Sequence, residues 1–435
     1  MKFKPYPSYK DSGIEWLGEV PEHWEVKPVK NIAKIVNGYP FDSKLFNPTN
    51  GFSLIRIRDL NSSEADVYFN GDFVECAAIT SDDVLIGMDG DFNVGRWHGV
   101  GRALLNQRMC CVRGKSKRLT QLLEYGLPVP LKIINDVAYF TTVKHLSSSQ
   151  VEKIFISVPP DDKEQTAIAN FLDRETLRID ALVEEKNHFI ELLKEKRQTL
   201  ISHVVTKGLD PTVKMKDSGV EWLGEVPEHW TVTKLGFITS KIGSGKTPNG
   251  GAEVYTEQGV IFIRSQNVYD TGLVLEDVAY INEEIDASMS GTRVKSGDIL
   301  LNVTDASIGR TCLVPKDFPD ANVNQHVCII RLKAEKNKDY VSWCLKSNSS
   351  KMLINVYQNG AGREGLNFEQ ISNITVAMPL GSHEIDKVVA YLDNQTTKID
   401  ALITETQQSI ALLKEHRTAL ISAAVTGKID VREVA

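Results

Sequence analysis

The chain has 435 residues, 42% of them hydrophobic, 25% charged and 8% aromatic, a soluble globular composition too long for one ordinary domain. Fifty Lys and Arg against 57 Asp and Glu leave a net charge of −7, which excludes a uniformly basic coat but not local basic patches. No apolar run reaches the roughly 18 residues of a membrane span, residues 1–7 lack the apolar centre of a signal peptide, and Cys76, Cys110, Cys111, Cys312, Cys328 and Cys344 have no zinc spacing, so a reduced cytoplasmic protein is expected.

Taken in order, residues 10–24 read KDSGIEWLGEVPEHW. Short apolar runs at 54–58, 83–86 and 109–112 follow, separated by Gly, Asn and Asp, as strands of a mixed α/β body would be. A proline-free stretch, about 163–205, predicts a long helix. The opening segment then returns at 216–230 as KDSGVEWLGEVPEHW, with only Ile14 changed to Val220 at an offset of 206. Strand-like runs recur at 260–264, 298–301 and 327–331, and a second long helix is predicted over about 383–425. Its sequence repeats the first (FLD…RIDAL…LLKEKR against YLD…KIDAL…LLKEHR) at an offset of 220, so the second copy carries 14 more residues between the matched ends. The chain is one unit written twice.

Steps of seven place Leu172, Ile179, Lys186, Leu193 and Leu200 on one face of the first helix, and Leu392, Ile399, Thr406, Leu413 and Leu420 on one face of the second. With Leu182 and Leu402 at the companion position, the pattern is that of a coiled coil with one polar layer. Residues 426–430 match 206–210, the segment that leads into the second body, so the C-terminus is expected to return to the 10–24 segment. The expected fold is mixed α+β: two similar bodies separated by two long antiparallel coiled-coil helices, with a pseudo-twofold internal repeat. A 40-residue helix would span roughly 60 Å.

Catalytic constellations are missing from the sequence. Gly243-Ser244-Gly245-Lys246-Thr247 imitates a phosphate-binding loop, but Ser240 stands where the required first glycine belongs. The matching Asn37-Gly38-Tyr39-Pro40 lacks the lysine, so a tight loop presenting Lys246 to an anion is the better reading. Neither a glycine-rich S-adenosylmethionine loop nor an Asn/Asp-Pro-Pro-aromatic motif is found.

Nucleic-acid chemistry is better represented. Between Asp91 and Glu124 no acid occurs, while Arg96, Arg102, Arg108, Arg113, Lys115, Lys117 and Arg118 accumulate. Phosphate affinity needs such an excess, and base reading needs Arg, Asn and Gln on loops. By sequence, Arg58-Asp59-Leu60-Asn61 faces Arg264-Ser265-Gln266-Asn267, Gly95-Arg96 faces Gly309-Arg310, and Asn106-Gln107-Arg108 faces Asn324-Gln325-His326. The expected DNA contacts are Arg58, Asn61, Arg96, Arg102, Arg108, Lys115, Lys246, Arg264, Asn267, Arg310 and Arg363. The Asn-Gln pairs fit a fold-holding role equally well, and differing positions such as Asp59 against Ser265 are candidates for base choice.

The twin DSG[I/V]EWLGEVPEHW segments, the twin helices and the Val158-Pro159 and Met378-Pro379 steps before them resemble the specificity subunit of a Type I restriction–modification system. The resemblance covers essentially the whole chain. It implies target-recognition domains at 1–160 and 207–380 (the latter with a linking segment, 207–230), a helix at 161–206, and a helix with tail at 381–435. It also implies double-stranded DNA as ligand, each domain reading one half of a split site while the helices set the spacer and dock two methyltransferase subunits. S-adenosylmethionine, ATP and Mg would sit on the methyltransferase and restriction subunits, and none on this non-catalytic chain. Glu184, Glu185, Glu191 and Glu195 place negative charge on the first helix, away from DNA. A reader in a methylation-only defence system would have the same plan; an NTPase around Lys246 or a peptide-binding scaffold fits the residues less well.

Overall fold

A computed structural model of the chain describes residues 4–137, 144–359 and 365–433. The contacts divide it into two units, Met1–Lys186 with Gln408–Ala435, and Asn187–Gln407. Each unit therefore holds one body, one half of its own long helix and one half of the other.

In the first unit, Tyr9–Asp11 and Glu19–Pro21 form an antiparallel lead-in hairpin, and Glu25–Pro28 pairs with Phe155–Val158. The body has two sheets. One runs in the order Val94–Gly95, Val84–Gly87, Met109–Gly114, Ala33–Asn37, all antiparallel. The other runs Phe46–Asn47, Tyr68–Phe69, Phe52–Ile55, Arg102–Leu105, Ala78–Thr80, with Phe52–Ile55 parallel to Arg102–Leu105. The second unit repeats the plan. Met215–Asp217 and Glu225–Pro227 make the hairpin, and Thr239–Ser244, Val327–Leu332, Ile299–Asn302 and Thr311–Leu313 make the four-stranded sheet. Val260–Ile263 lies parallel to Ala321–Val323 in the smaller sheet. Runs such as 84–86 and 327–330 are apolar throughout because sheet residues there are buried on both faces.

The long helices span Asp162–Lys207 and Ser382–Val425, without an internal Gly or Pro. Gly208 (φ +77°) and Gly427 (φ +70°) end them in the left-handed conformation that glycine adopts without penalty. Within each unit the helix halves run antiparallel. In the first, Leu172, Ile179 and Val183 share a cluster with Leu413, Leu420 and Ala424; in the second, Leu200, Ile201 and Val204 share one with Ile385, Val388 and Leu392. Two matched ion pairs bridge the halves. Arg197 donates to Asp400 at 2.9 and 3.2 Å, and Arg417 lies 2.8 Å from Asp180.

The seam differs from the expected one by a residue. Leu172, Ile179, Leu193, Leu392, Ile399 and Leu420 are buried, and Leu200 and Leu413 pack half-buried against the clusters. Leu402, however, is 44% exposed and Leu182 only half-buried. The companion series lies four residues on from Leu172, not three: Thr176, Val183, Ile190, Arg197 and Val204, matched by Thr396, Ile403, Ile410, Arg417 and Ala424. The threonines hide the series from a hydrophobicity reading, because Thr176 and Thr396 satisfy their hydroxyls on the carbonyls of Leu172 and Leu392 and so can be buried.

The repeated EHW motif anchors each helix. Trp24 Nε1 donates to Glu164 at 2.9 Å and His23 lies 2.8 Å from the other carboxylate oxygen; Trp230 and His229 meet Glu384 at 2.9 Å each. The helix ends dock on the hairpins. Lys207 Nζ donates to Glu225 O and Lys428 Nζ to Glu19 O, both at 2.6 Å. Asp430 N donates to Lys4 O at 2.8 Å, so the tail does return to the N-terminal segment, as its sequence match requires.

Candidate nucleic-acid interface

The acid-free basic stretch is not acid-free once folded. Arg96 is mostly buried and donates to Glu124 at 2.6 Å. Arg102 forks onto Glu75 and stacks over Phe73 at 4.6 Å. Arg108 meets Asp89 at 3.0 Å, Lys117 meets Asp82 at 2.8 Å, and Arg113 grips buried Asp83 with two bonds of 2.6 Å. That last carboxylate raises the Arg113 pKa further. The carboxylates come from Glu75, Asp82, Asp83 and Asp89 upstream and from Glu124 at the end of the stretch, where a linear window does not count them. Arg96 is thereby withdrawn from the DNA-facing set, whereas Arg102 and Arg108 keep exposed guanidinium groups in surface pairs that cost little to exchange for phosphate or base. Lys115 is exposed and has no side-chain partner among the described residues.

Of the expected contacts, Asn267 holds a loop instead, and Asn61 holds one while remaining exposed. Asn267 is 1% exposed; its amide accepts from Arg264 N at 3.0 Å and donates to Val274 O at 2.9 Å. Asn61 takes φ +63° and accepts from Arg96 N at 3.1 Å. Asp59, a candidate for base choice, is also buried, accepting from Arg56 N and Asp66 N.

The hydrogen bonds also re-pair the two bodies. Arg56 and Arg264 are both the residues before matched 3₁₀ turns, capped by Asp59 and Asn267, so Arg264 corresponds to Arg56 and not to Arg58. Gly87 N donates to Asn93 O and Asn302 N to Arg310 O, each at 2.9 Å, so Arg310 stands where Asn93 does and not opposite Arg96. Loops of unequal length shift the sequence match. Arg264 is turned inward, donating to Asp277 O at 2.8 Å beside Tyr255, while Arg310 stacks on Tyr269 at 4.9 Å. Arg58 is exposed near Asp66, and Arg363 lies outside the described residues.

One corner is common to both bodies. Asn106 and Asn324 accept from the backbone N–H two residues on, Arg108 at 3.2 Å and His326 at 3.1 Å. Met88 N donates to Arg108 O and Val303 N to His326 O; Leu146 N donates to Met88 O and Leu366 N to Val303 O. Tyr39 N donates to Leu105 O and Lys246 N to Val323 O. A Cβ on Gly38 or Gly245 would lie 1.8 Å from a carbonyl oxygen of that turn, of Asn106 or Val323 respectively. The glycine of the apparent phosphate loop is thus demanded by backbone packing, and Lys246 is presented by a strand end.

The corner side chains face solvent. In the first body Tyr39, Gln107 and Arg108 are exposed, and Asp89 takes both Arg108, at 3.0 Å, and His145, at 2.8 Å. In the second, Lys246, Gln325 and Asp305 are exposed, and half-buried His326 meets Thr304 at 2.5 Å. Sequence reading pointed here through Arg108, Lys246 and the Asn-Gln pair, and missed Tyr39, Asp89, His145, Thr304 and Asp305. Burial pushes the thiols of Cys110, Cys312, Cys328 and Cys344 up to about 12. Among the described residues no group of three or more His, Cys, Asp or Glu could hold a metal, and no helix is long and apolar enough to cross a membrane.

Known proteins match this architecture over its whole length. The Escherichia coli EcoBI specificity subunit of a Type I restriction enzyme is 27% identical over 97% of this chain and 90% of its own. The Methanocaldococcus jannaschii MjaVIII specificity subunit is 26% identical over 98% of both. A chain from a solved structure concerned with complex assembly and conformational transition of the type I R-M system superposes with a TM-score of 0.68 at 16% identity, covering 93% of this chain and 98% of that one. The Type I restriction modification DNA specificity domain matches twice, at residues 21–192 and 227–411, once for each copy of the repeat, and the chain belongs to that family.

Proposed function

We propose that this chain is the DNA-reading specificity subunit of a Type I restriction–modification complex, each body reading one half of a bipartite duplex site. The observation that carries the reading is the shared corner: one backbone frame, present in both bodies, displays different hydrogen-bonding side chains to solvent. Side chains of this kind on an adaptable turn suit base edges in a groove. Two different sets imply two different half-sites.

The antiparallel helix halves act as the spacer and as the seat for two methyltransferase subunits. Matched exposed leucines, Leu192 and Leu412, support that role, as does Leu402, since apolar groups left outside a paired seam are suited to a partner. Glu184 and Glu185 are exposed on the first helix and take part in docking as well. The chain itself is non-catalytic and acts in the cytoplasm. S-adenosylmethionine is carried by the methyltransferase subunits, and ATP with Mg by restriction subunits.

Single-molecule sequencing of methylated adenines, in cells expressing this chain with its methyltransferase subunit, tests the reading. A split motif with two unlike halves and a fixed spacer is expected. A continuous motif, or two identical halves, would refute it. Charge reversal of Glu184 and Glu185 should weaken copurification with the methyltransferase; unchanged copurification would remove those residues from the docking face.

A further inference from the structure

We infer that the specificity-determining side chains are those of the shared corner, with Arg108 selecting bases for the first body and His326 with Lys246 for the second. The inference rests on the proposal that the bodies bind duplex DNA.

The two corners separate holding residues from displayed ones. Positions whose side chain, or lack of one, fixes the turn are the same in both bodies: Asn106 and Asn324 bond the turn, and Gly38 and Gly245 let two backbones touch. Positions that project from that frame have changed. Tyr39 is replaced by Lys246, Arg108 by His326, Asp89 by Thr304 and Gly90 by Asp305, the last two sharing the left-handed conformation at φ +79° and +62°. Gln107 and Gln325 alone are exposed and kept. At the opposite kind of site, where the helices are anchored, a partly exposed residue is conserved between copies, as His23 with His229 is. At this corner the turn-bonding asparagines and the close-packed glycines stay constant, the buried apolar positions exchange one apolar residue for another (Met88 for Val303, Leu105 for Val323), and the change of hydrogen-bonding chemistry falls on the displayed positions, as two readers of different sequences require.

The chemistry agrees. Arginine is the side chain that forks onto guanine, glutamine pairs with adenine, and a carboxylate accepts from cytosine. Asp89, itself held by His145 at 2.8 Å, orients the Arg108 guanidinium at 3.0 Å while leaving it 70% exposed. Asp89 is therefore a positioning residue for Arg108. In the second body Thr304 does the same for His326, whose far ring nitrogen lies 3.2 Å from Gln325.

The test is methylome sequencing of Arg108→Ala and of His326→Ala, each in the full chain with its methyltransferase. Each variant should relax one position of one half-site by about tenfold or more, the discrimination of one good base contact, and leave the other half-site unchanged. Because the two variants should act on different halves, the untouched half in each reports that the protein is folded. An unaltered motif, or a weakening uniform over all sequences, would overturn the inference while leaving the bipartite reading intact. Absence of any split motif for the unmodified chain would instead defeat the reading it rests on. If Arg108→Ala abolishes methylation, Arg108→Lys decides: recovered methylation with one relaxed position supports the assignment, and recovery with the original motif refutes it.

Discussion

Removing the carboxylate at Glu164 should unlock the first helix from its body far more severely than the same change at Glu384. The two residues are partners in the repeat and make the same two bonds, to Trp24 and His23 in one unit and to Trp230 and His229 in the other, all between 2.8 and 2.9 Å. They differ in water access, the Glu164 side chain being 4% exposed and that of Glu384 35%. A hydrogen bond to a charged acceptor contributes about 1.5–3 kcal/mol, and a buried donor left without a partner costs about 1–3 kcal/mol. Glu164→Ala strands the indole N–H of fully buried Trp24 and should cost about 3 kcal/mol. Glu384→Ala admits water to the vacated site and should cost about 1 kcal/mol. For units of this size that difference separates the two melting shifts by about 4–8 °C. Urea denaturation followed by tryptophan fluorescence, with calorimetry alongside, measures both. Adding Trp24→Phe to Glu164→Ala should recover part of the loss, since it removes the stranded donor. Equal costs for the two alanine variants, or a Glu164→Ala cost below about 1 kcal/mol, would refute the assignment of the EHW motif as a buried anchor.

Two further outcomes follow from buried groups. Lys346 is 9% exposed, with its ammonium 4.7 Å over the Trp343 ring, and burial lowers its pKa. A lysine depressed in the folded state binds its proton more readily when unfolded, so stability should rise with pH until the ordinary value of about 10.4 is reached. Lys346→Met should stabilise the second unit by about 1 kcal/mol at pH 7, and the gain should shrink at pH 9 in urea titrations; a gain that grows with pH would contradict the argument. Gly245→Ala, whose Cβ would meet Val323 O at 1.8 Å, should destabilise its body by about 2 kcal/mol or more and lower the melting temperature, as should Gly38→Ala. A Gly245→Ala variant that melts like the unmodified chain would refute the backbone-packing role of that glycine.

The duplicated plan was legible because it is written in residues that cannot be exchanged. Trp24 and Trp230 each fill a core and each donate to a helix carboxylate, so the EHW motif survives in both copies. Helix extents were legible because nothing inside them breaks a helix and a glycine with positive φ ends each. The seam was legible in its apolar half only. Thr176, Arg197 and their partners Thr396 and Arg417 sit in it because a backbone carbonyl or an aspartate across the pair satisfies them. A backbone carbonyl four residues away does not register in a hydrophobicity score, the aspartates lie more than 200 residues off in sequence, and Leu402, apolar and in nearly the right phase, took their place.

Arg108 and Lys246 were legible in the sequence, where Arg108 pairs with His326, but the correspondence of other arginines was obscured for the opposite reason. Matching the copies by identity pairs Arg58 with Arg264 and Arg96 with Arg310, whereas the backbone pairs Arg264 with Arg56 and Arg310 with Asn93. Identity between two diverged copies selects what both need, and both need the same fold, so a search for shared residues returns the frame: Asn106 with Asn324, Gly38 with Gly245. A residue that distinguishes one half-site from another has to differ between the copies, and the frame shows which differing positions correspond and face solvent. Arg108 and His326 meet that requirement because the turn beneath them is held by the same bonds in both bodies. In a duplicated reader, sameness locates the scaffold, and difference on a proven scaffold locates the selectivity.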